Sequence, residues 1–283
     1  MEAVRVTGSP GPGTLYVVST PIGNLGDVTP RALDTLRAVD LILAEDTRHS
    51  ARLLSHFDVH TRVESCHEHN EAAVTPKVLR RLAEGRSVAL ITDAGTPLVS
   101  DPGARLVRAA ITAGVRVVPV PGASALLAAL VASGLVADRF TFFGFIERKG
   151  PERARAIRAV VASPVTSVLY EAPGRVRALL DDLGSAGAAD RAAVVAREVT
   201  KQFEEFSRGT VGALATAYAD AAPRGEVVVL VAAAPEPTGP DEAALRRRAV
   251  ELRASGMSAR ETARVLSEEL GASRNVAYRL AHE

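Results

Sequence analysis

The sequence predicts an α/β fold made of two successive halves, followed by a small helical segment. Short runs rich in Val, Ile and Leu alternate along the chain with longer amphipathic segments, and most of these runs are apolar throughout. Short apolar runs bounded by turn residues are typical of buried strands. Buried strands that alternate with helices predict a parallel sheet covered on both faces.

The first half contains five strand candidates and three readable helix starts. The strand candidates are residues 14–19, 39–45, 62–66, 87–92 and 115–120. Thr29, Thr75 and Asp101 each precede a proline, the pattern of a helix N-cap followed by proline in the first turn. We therefore expect a helix to begin at each of these three places.

The second half repeats the same kind of series and so predicts a second sheet of the same kind. Its strand candidates are residues 140–145, 165–171, 192–198 and 226–232, separated by helices from Pro151, from Pro173 and from about Thr210. Because Pro121 and Gly122 lie near the joint, the predicted domains are residues 13–121 and 122–234. Small-molecule sites favour the cleft between two such domains.

The C-terminal part changes character. Residues 234–242 are rich in Pro and acidic side chains and have no apolar period, which predicts a linker. Residues 241–283 contain three short amphipathic segments and no strand candidate. Ser258 and Glu261 have the spacing of a capping box, and Gly271 marks the end of that helix.

A second cap at Ser273 begins the last helix. Two short helices joined by a tight turn suggest a helix-turn-helix, but any small helical bundle has the same pattern. Binding of nucleic acid, stabilisation of a dimer and capping of the second domain are all open for this segment. Four arginines favour the first: Arg260, Arg264, Arg274 and Arg279.

Composition sets limits on the class of protein. The 283 residues carry 34 Lys and Arg against 33 Asp and Glu, so any surface for a polyanion must be a local patch. Cys66 is the only cysteine, which excludes an internal disulfide and makes a structural zinc site improbable. No apolar stretch is long enough to span a bilayer and no leader pattern is present, so we expect a cytoplasmic protein without a membrane partner.

Two loops rich in Pro and Gly follow predicted strands. The first is in residues 17–33 and the second in residues 92–103. Neither the dinucleotide-binding nor the ATP-binding glycine pattern occurs, which argues against those ligands. If both loops lie at the same edge of the sheet, they form one crevice in which backbone groups approach a ligand closely. Two tight turns with no ligand would have the same spacing.

The segment "SCHEHNE" invites a metal interpretation because Cys66, His67 and His69 are so close. In an extended segment the two histidines would share a face and Glu68 would point away. A metal site with four ligands would need further ligands from histidines elsewhere in the sequence. A structural pair of histidines and a contact with substrate are the alternatives, and we expect no metal.

Seven motifs in order give the chain a specific resemblance. They are "LYVVSTPIGNLGDVTPRAL", "LILAEDTRHSARLL", "HEHNE", "ALITDAGTPLVSDPGARLV", "VPGASALLAALVASGL", "LYEAPGR" and "REVTKQFEEFSRGT". The chain resembles the ribosomal RNA small subunit methyltransferases I of the tetrapyrrole methylase superfamily from about residue 13 to 232. The resemblance implies two α/β domains of the tetrapyrrole methylase type (class III methyltransferase), with S-adenosylmethionine bound between them. It also implies a homodimer that methylates the ribose 2′-oxygen of a decoding-centre cytidine in 16S rRNA, as free RNA or in the small ribosomal subunit.

The same resemblance implies a set of donor-binding residues. Residues 93–98 should face the methionine and ribose parts of the donor, whereas Asp101 and Pro102 should simply start the next helix. Ala172 and Gly225 are weaker candidates for the adenine side. The full set is Pro21, Gly23, Asp93, Ala94, Gly95, Thr96, Leu98, Ser124, Ala172 and Gly225.

A ribose hydroxyl is a poor nucleophile at neutral pH, so a positioned base is useful. Asp46 and His69 are our candidates for that role. Six further residues in or near the motifs are candidates for contact with substrate, and among them the cations would meet RNA phosphates. They are Glu45, Arg48, Glu68, Arg197, Glu198 and Lys201.

One motif departs from the family pattern, and two other functions stay open. The family usually has histidine after Pro173, where this chain has Gly174, so only Arg175 keeps a role as a phosphate or structural contact. A methylase of a corrinoid or porphyrin precursor would share the fold and the donor. A non-catalytic RNA-binding assembly factor would not need the donor loops.

Overall fold

Five parallel strands form the first sheet of the computed structural model, which describes residues 13–235 and 241–283. In the order β3-β2-β4-β1-β5, every neighbouring pair is parallel. This confirms the arrangement predicted for the first half. The strands are β1 Thr14–Val18, β2 Leu41–Ala44, β3 Val63–Ser65, β4 Val88–Ile91 and β5 Arg116–Val120.

Helices cover both faces of this sheet, as continuous apolar strands require. Side chains alternate along β2, so that Ile42 packs with α1 and α2 on one face while Leu43 packs with α3 and α4 on the other. The helices are α1 Pro30–Ala38, α2 Thr47–His56, α3 Glu71–Ala83 and α4 Ala104–Thr112. All four residues of β2 and of β4 are buried.

The second sheet is mixed, and the prediction of another parallel sheet is wrong. In the order β6-β7-β10-β8-β9, only β6 and β7 are parallel, because β10 runs antiparallel to both β7 and β8. Burial of both faces makes β10 apolar throughout, and that pattern does not encode strand direction. The strands are β6 Phe140–Phe145, β7 Thr166–Glu171, β8 Ala192–Arg197, β9 Glu205–Thr210 and β10 Val227–Val231.

Strand β9 was absent from the sequence prediction. It pairs antiparallel with β8 at the edge of the sheet and has only one large apolar side chain, Phe206. A half-exposed edge strand does not need an apolar run, so the sequence signal is missing. Helix α5 packs on one face of this sheet, and α6, α7 and α8 pack on the other. These helices are α5 Ala125–Ser133, α6 Gly150–Ala162, α7 Val176–Leu183 and α8 Val211–Ala217.

Of the three predicted helix starts in the first half, one is confirmed and two are wrong. Thr29 caps α1, since its hydroxyl accepts the N–H of Ala32 at 3.1 Å. The prediction for Thr75 is wrong: it lies inside α3, where its hydroxyl donates to the Glu71 carbonyl. The prediction for Asp101 is also wrong, because α4 begins at residue 104 after Gly103, whose φ is 119°.

The chain divides after residue 233 into two compact units, and the second is helical. Its helices are α9 Glu242–Ala254, α10 Ala259–Glu268 and α11 Arg274–His282, with no strand among the residues described there. The capping box of Ser258 and Glu261 and the cap at Ser273 are confirmed. Gly271, with φ of 71°, follows the end of α10 as predicted. Part of the predicted linker, residues 236–240, lies outside the described residues.

None of the helices in the described part of the chain is long and apolar enough to cross a membrane.

Candidate active site

Three loops at the carboxyl edge of the first sheet are joined to one another by hydrogen bonds and form one continuous wall. Thr20 and Gly95 exchange backbone hydrogen bonds of 2.8 and 3.1 Å, which joins the loops after β1 and β4. The hydroxyls of Ser19 and Thr96 are 3.0 Å apart, and Thr96 also donates to the carbonyl of Ala123 after β5. The single crevice expected from the two Pro-Gly loops is present, and the loop after β5 is part of it.

A cavity of about 400 Å³ lies between this wall and the second sheet. Its volume is in the range of small-molecule sites. From the first half it is lined by Ala94, Gly95, Thr96, Ser100, Asp101 and Ser124. From the second half it is lined by Phe145, Tyr170, Glu171, Ala172, Val199 and Gly225.

A second cavity of about 380 Å³ shares three lining residues with the first: Ile22, Ala94 and Glu226. It lies toward α2, which contributes His49, Arg52 and others. Nine of the ten residues assigned to the donor by resemblance line one cavity or the other. Pro21, Gly23 and Asp93 line the second only. Leu98 lines neither, and instead packs against the core of the first sheet.

Two glycines in these walls are needed for close packing. A Cβ on Gly23, whose φ is 139°, would lie 2.4 Å from the Lys201 side chain. A Cβ on Gly225, whose φ is 81°, would lie 2.2 Å from a carboxylate oxygen of Glu198. Both positions therefore combine a positive φ, which glycine adopts most easily, with a neighbouring side chain that a Cβ would displace.

Glu198, Lys201 and Glu226 form an ion cluster beside the cavities. The Lys201 ammonium is 2.9 Å from Glu198 and 3.1 Å from Glu226. The N–H of Glu226 and then the Lys201 ammonium lower the pKa of Glu198. Burial tends to lower the pKa of Lys201, but its two carboxylate partners raise it overall. This lysine is charged and already paired on the cavity wall.

Asp101 is the most perturbed acid of the cavity. Burial first, and then the charge of Glu45, raise its pKa to about 6, while a hydrogen bond with Thr92 opposes this and Asp93 adds to it. The Thr92 hydroxyl also donates to Glu45 at 2.9 Å. Negative charge is therefore concentrated where the loop after β4 meets the cavity.

Glu171 supplies an unpaired acceptor in the same lining. Its Oε1 accepts the N–H of Ala172 at 2.8 Å and lies 3.0 Å from Nε of Arg175. Its Oε2 is buried and has no hydrogen-bond partner among the described residues. Burial raises the pKa of this carboxyl, and those two partners oppose the rise. Arg175 thus has the structural contact considered above.

The candidate bases lie at the same sheet edge but line neither cavity. Asp46 is the N-cap of α2 and accepts the N–H groups of Arg48 and His49, which lower its pKa. Its own N–H donates to Asp93 at 3.1 Å, so it adjoins the second cavity. His69 is exposed in the turn after β3.

The remaining predicted contacts are mostly at the surface. Arg48 and Glu68 are exposed, whereas the guanidinium of Arg197 is 2.7 Å from Glu205. Glu45 is half-buried under Thr92.

The "SCHEHNE" segment is a turn and not the extended segment considered above. Asn70 donates its N–H to the His67 carbonyl, and its side chain accepts the His67 N–H. The rings of His67 and His69 are 6.0 Å apart, and burial raises the pKa of the Cys66 thiol to about 11. No group of three His, Cys, Asp or Glu in the described ranges could hold a metal ion.

Strained backbone clusters around the cavity. Leu98 and Ser100 after β4, with Glu198 and Thr200 after β8, have φ between 50° and 72°. Non-glycine residues in this region are uncommon and are concentrated at functional sites. Sequence reasoning missed two lining residues of the "LVSDPG" segment: Asp101 was assigned only to a helix start, and Ser100 was given no role.

The fold and the cavity define the class: an α/β protein whose two sheets enclose a cavity of about 400 Å³. Solved structures of two methyltransferases share this fold. A uroporphyrin-III C-methyltransferase from Thermus thermophilus, in complex with S-adenosylhomocysteine, has a TM-score of 0.57 at 19% identity, covering 77% of this chain and 96% of its own. A cobalt-precorrin-4 methyltransferase has a TM-score of 0.58 at 20% identity, covering 78% of this chain and 95% of its own.

Sequence comparison gives the family. The model of the tetrapyrrole (corrin/porphyrin) methylases matches residues 14–215. The chain belongs to the tetrapyrrole methylase family. A Synechocystis protein named Ribosomal RNA small subunit methyltransferase I is 44% identical over 96% of this chain and 98% of its own length. A Pseudomonas aeruginosa protein of the same name is 46% identical over 95% of this chain and 96% of its own length.

Proposed function

We propose that this chain is an S-adenosylmethionine-dependent RNA methyltransferase. Its product is 16S rRNA methylated on the ribose 2′-oxygen of a cytidine in the decoding centre. The cavity of about 400 Å³ between the two sheets carries the proposal, together with the names of the full-length relatives. The relatives favour RNA over a corrin or porphyrin, since the likeness to tetrapyrrole methylases of known structure concerns the fold.

The chemistry of the cavity fits the methyl donor. Most of the lining is apolar or backbone, and Asp101 and Glu171 add acidic groups to it. A ligand with a sulfonium and an amino group complements this negative charge. When bound, S-adenosylmethionine supplies an activated methyl group that leaves a neutral thioether behind.

The walls of the cavity hold and orient the donor. We assign the donor to Gly95, Thr96 and Ser124 on one side and to Ala172 and Gly225 on the other. Pro21, Gly23, Asp93 and Ala94 line the side nearer α2. Leu98 supports this wall from the core. Fixing donor and hydroxyl in line is the main contribution, because a well-oriented pair can gain about 7–11 kcal/mol from proximity alone.

The chain must also accept the proton of the ribose hydroxyl. We assign this to Asp46, with His69 as the alternative. The two N–H groups that cap Asp46 keep its carboxylate ionised at neutral pH, and its second oxygen is free of that cap. A base of this kind contributes about 10²–10⁴ in rate.

RNA would approach from the edge on which these bases lie. Arg48 is exposed there and suits a phosphate. Lys201 and Arg197 act as paired cations whose partners Glu198 and Glu205 set their orientation. Glu45 and Glu68 are assigned to the ribose and base of the target.

We also propose a cytoplasmic homodimer. Leu127 and Val131 lie one helical turn apart on α5 and are 50% and 76% exposed, an apolar face that a second copy could cover. Light scattering coupled to size exclusion tests this, and a monomer at micromolar concentration would contradict it.

Labelled S-adenosylmethionine tests the activity. The protein is incubated separately with small ribosomal subunits, with protein-free 16S rRNA and with uroporphyrinogen III. We expect label on the 2′-oxygen of one cytidine in an RNA arm. Label only in the tetrapyrrole would identify a ring methylase, and donor binding without transfer to any acceptor would favour an assembly factor.

The assignment of the base has its own test. Asp46→Asn keeps a side chain that caps helices well, so the fold should be retained. We expect methyl transfer to fall at least about 100-fold with donor binding unchanged by calorimetry. Full activity in Asp46→Asn moves the role to His69, for which His69→Ala is the corresponding variant. Full activity in both variants would refute the assignment.

A further inference from the structure

A basic and aromatic groove lies between α10 and α11 of the C-terminal unit, with a volume of about 880 Å³. On α10 it is lined by Arg260 and Arg264. On α11 it is lined by Arg274, Tyr278 and His282. The donor cavity and the proposed base lie in the other unit, so methyl transfer does not account for this groove.

Helix geometry aligns these side chains. Residues four apart lie on the same face of a helix, which makes Arg260 and Arg264 one row and the three α11 side chains another. The opposite faces are occupied by packing, since Leu266 of α10 and Leu280 of α11 are buried in the core of the unit. The two rows therefore line the open side of the helix pair.

Three arginines outside the groove are neutralised by glutamates, whereas two groove arginines are not. Arg246, Arg248 and Arg279 lie 2.7 to 3.0 Å from glutamate oxygens. In contrast, Arg260 and Arg274 have no ion pair within the described residues.

The acidic residues that also line the groove do not neutralise its arginines. Arg264 is 3.9 Å from Glu268 with both side chains 67% exposed, a contact of little strength. Glu261 also lines the groove, but the capping box with Ser258 engages its carboxylate. The guanidinium groups that remain have the planar donor geometry that phosphates accept.

Beside them is an ordered aromatic surface. Tyr278 is 63% exposed, and the centre of its ring is 4.2 Å from that of His282. Nδ1 of His282 is 2.8 Å from the Tyr278 carbonyl oxygen, which holds the imidazole in place when that nitrogen carries the proton. Exposed rings next to arginines provide stacking surfaces for unpaired bases, and an acidic peptide would use only the charges.

We propose that this groove binds single-stranded RNA, with the arginines on phosphates and the Tyr278–His282 rings against a base. It is a docking surface for the RNA substrate and takes no part in methyl transfer. The inference rests on the proposed function only in that RNA is the substrate.

Binding of the full-length protein to a fluorescein-labelled single-stranded RNA of about 12 nucleotides, within the usual span of such sites, tests this. The variants are Arg260→Ala, Arg274→Ala and Tyr278→Ala. Arg247→Ala is the matched control, because Arg247 is an exposed arginine of α9 with no ion pair in the part of the chain that the structure describes.

Salt dependence separates the two kinds of contact. Each groove arginine variant should reduce the steepness of log affinity against log salt by about 0.7, the value for one phosphate contact on a single strand. Tyr278→Ala should weaken binding about fivefold or more with the slope unchanged, and Tyr278→Phe should restore it. Arg260→Lys should keep the wild-type slope. Arg247→Ala should match wild type in both quantities.

The outcomes distinguish this inference from the proposed function. If the groove variants bind RNA as tightly as the Arg247 control and the enzyme still methylates 16S rRNA, the proposed RNA binding by the groove is refuted and the proposed function is not. The predicted pattern in a protein that transfers no methyl group would support the groove and refute the proposed function. Variants that lose affinity for small subunits but bind protein-free RNA normally would assign the groove to an acidic protein and overturn the RNA proposal.

Discussion

Replacing Asp101 with asparagine should make the folded chain more stable above pH 6. The pKa of this carboxyl rises from 3.8 to about 6 on folding, chiefly through burial and then through Glu45. The folded state therefore binds the proton more tightly than the unfolded state does, and ionisation of Asp101 opposes folding. Asparagine has nearly the same shape and cannot ionise.

The pH range follows from these two pKa values. Below pH 3.8 the carboxyl is protonated in both states and the substitution gains nothing. Between 3.8 and about 6 the unfolded state ionises first, so the free energy of unfolding of wild type falls as pH rises. Above about 6 the full effect is present. A pKa difference of about two corresponds to about 3 kcal/mol, and partial exposure reduces this to about 1–2 kcal/mol.

Urea unfolding followed by circular dichroism, at pH 5.0, 6.5 and 8.0, measures the effect. Asp101→Asn should be more stable than wild type at pH 8.0, with a smaller difference at pH 5.0. Asp34→Asn, at an exposed position of α1, is the control and should change stability by less than about 0.5 kcal/mol throughout. Equal or lower stability of Asp101→Asn at pH 8.0, or a gain independent of pH, would refute the reasoning.

The same variant should bind the donor more weakly. Asp101 lines the cavity assigned to a cationic ligand, and loss of one charge-assisted contact costs about 1.5–3 kcal/mol, or at least about tenfold in affinity. Calorimetry with S-adenosylmethionine at pH 8.0 measures it. A more stable protein with a weaker site is the trade-off typical of functional residues. Unchanged affinity would place the donor elsewhere.

Two further substitutions test the glycine packing and the helical unit. Gly225→Ala should cost about 2–4 kcal/mol of unfolding free energy, since its Cβ displaces the Glu198 carboxylate and its backbone is left-handed. Gly187→Ala, also left-handed but with open space around it, should cost only about 1–2 kcal/mol, and equal losses in the two would contradict the packing argument. Ser258→Ala should cost the C-terminal unit about 1 kcal/mol through loss of its cap, measured by thermal unfolding, while Ser267→Ala on the same helix should be neutral; similar losses in both would refute the capping argument.

Local rules in the sequence determined much of the first sheet. Strands such as β4 are apolar throughout because both faces are buried, and that pattern is visible in residues 87–92. Thr29 caps α1 by a contact over three residues, and the capping box of Ser258 is equally local. The seven ordered motifs then identified the family, which the comparisons confirm.

Where the local signal was ambiguous, the tertiary structure decided. Proline after Thr75 and after Asp101 looked like two helix starts, yet Thr75 lies inside α3 and Asp101 lines the cavity. A proline fixes only its own backbone and that of its neighbour, so it does not determine which contacts form around it. The direction of β10 likewise depends on partners far away in the chain, and β9 is a strand only because it pairs with β8 at the edge of the sheet.

The sequence by itself determined the apolar periods, the Pro-Gly loops and the caps at Thr29, Ser258 and Ser273, because each depends on a few neighbouring residues. Only the tertiary structure decided which charges meet. Glu198, Lys201 and Glu226 form one cluster because β8 and β10 are adjacent, and Asp101 acquires its raised pKa from burial and from Glu45, 56 positions away in the sequence. Electrostatic effects depend on distance in space and on exclusion of water, and neither can be read from a linear chain.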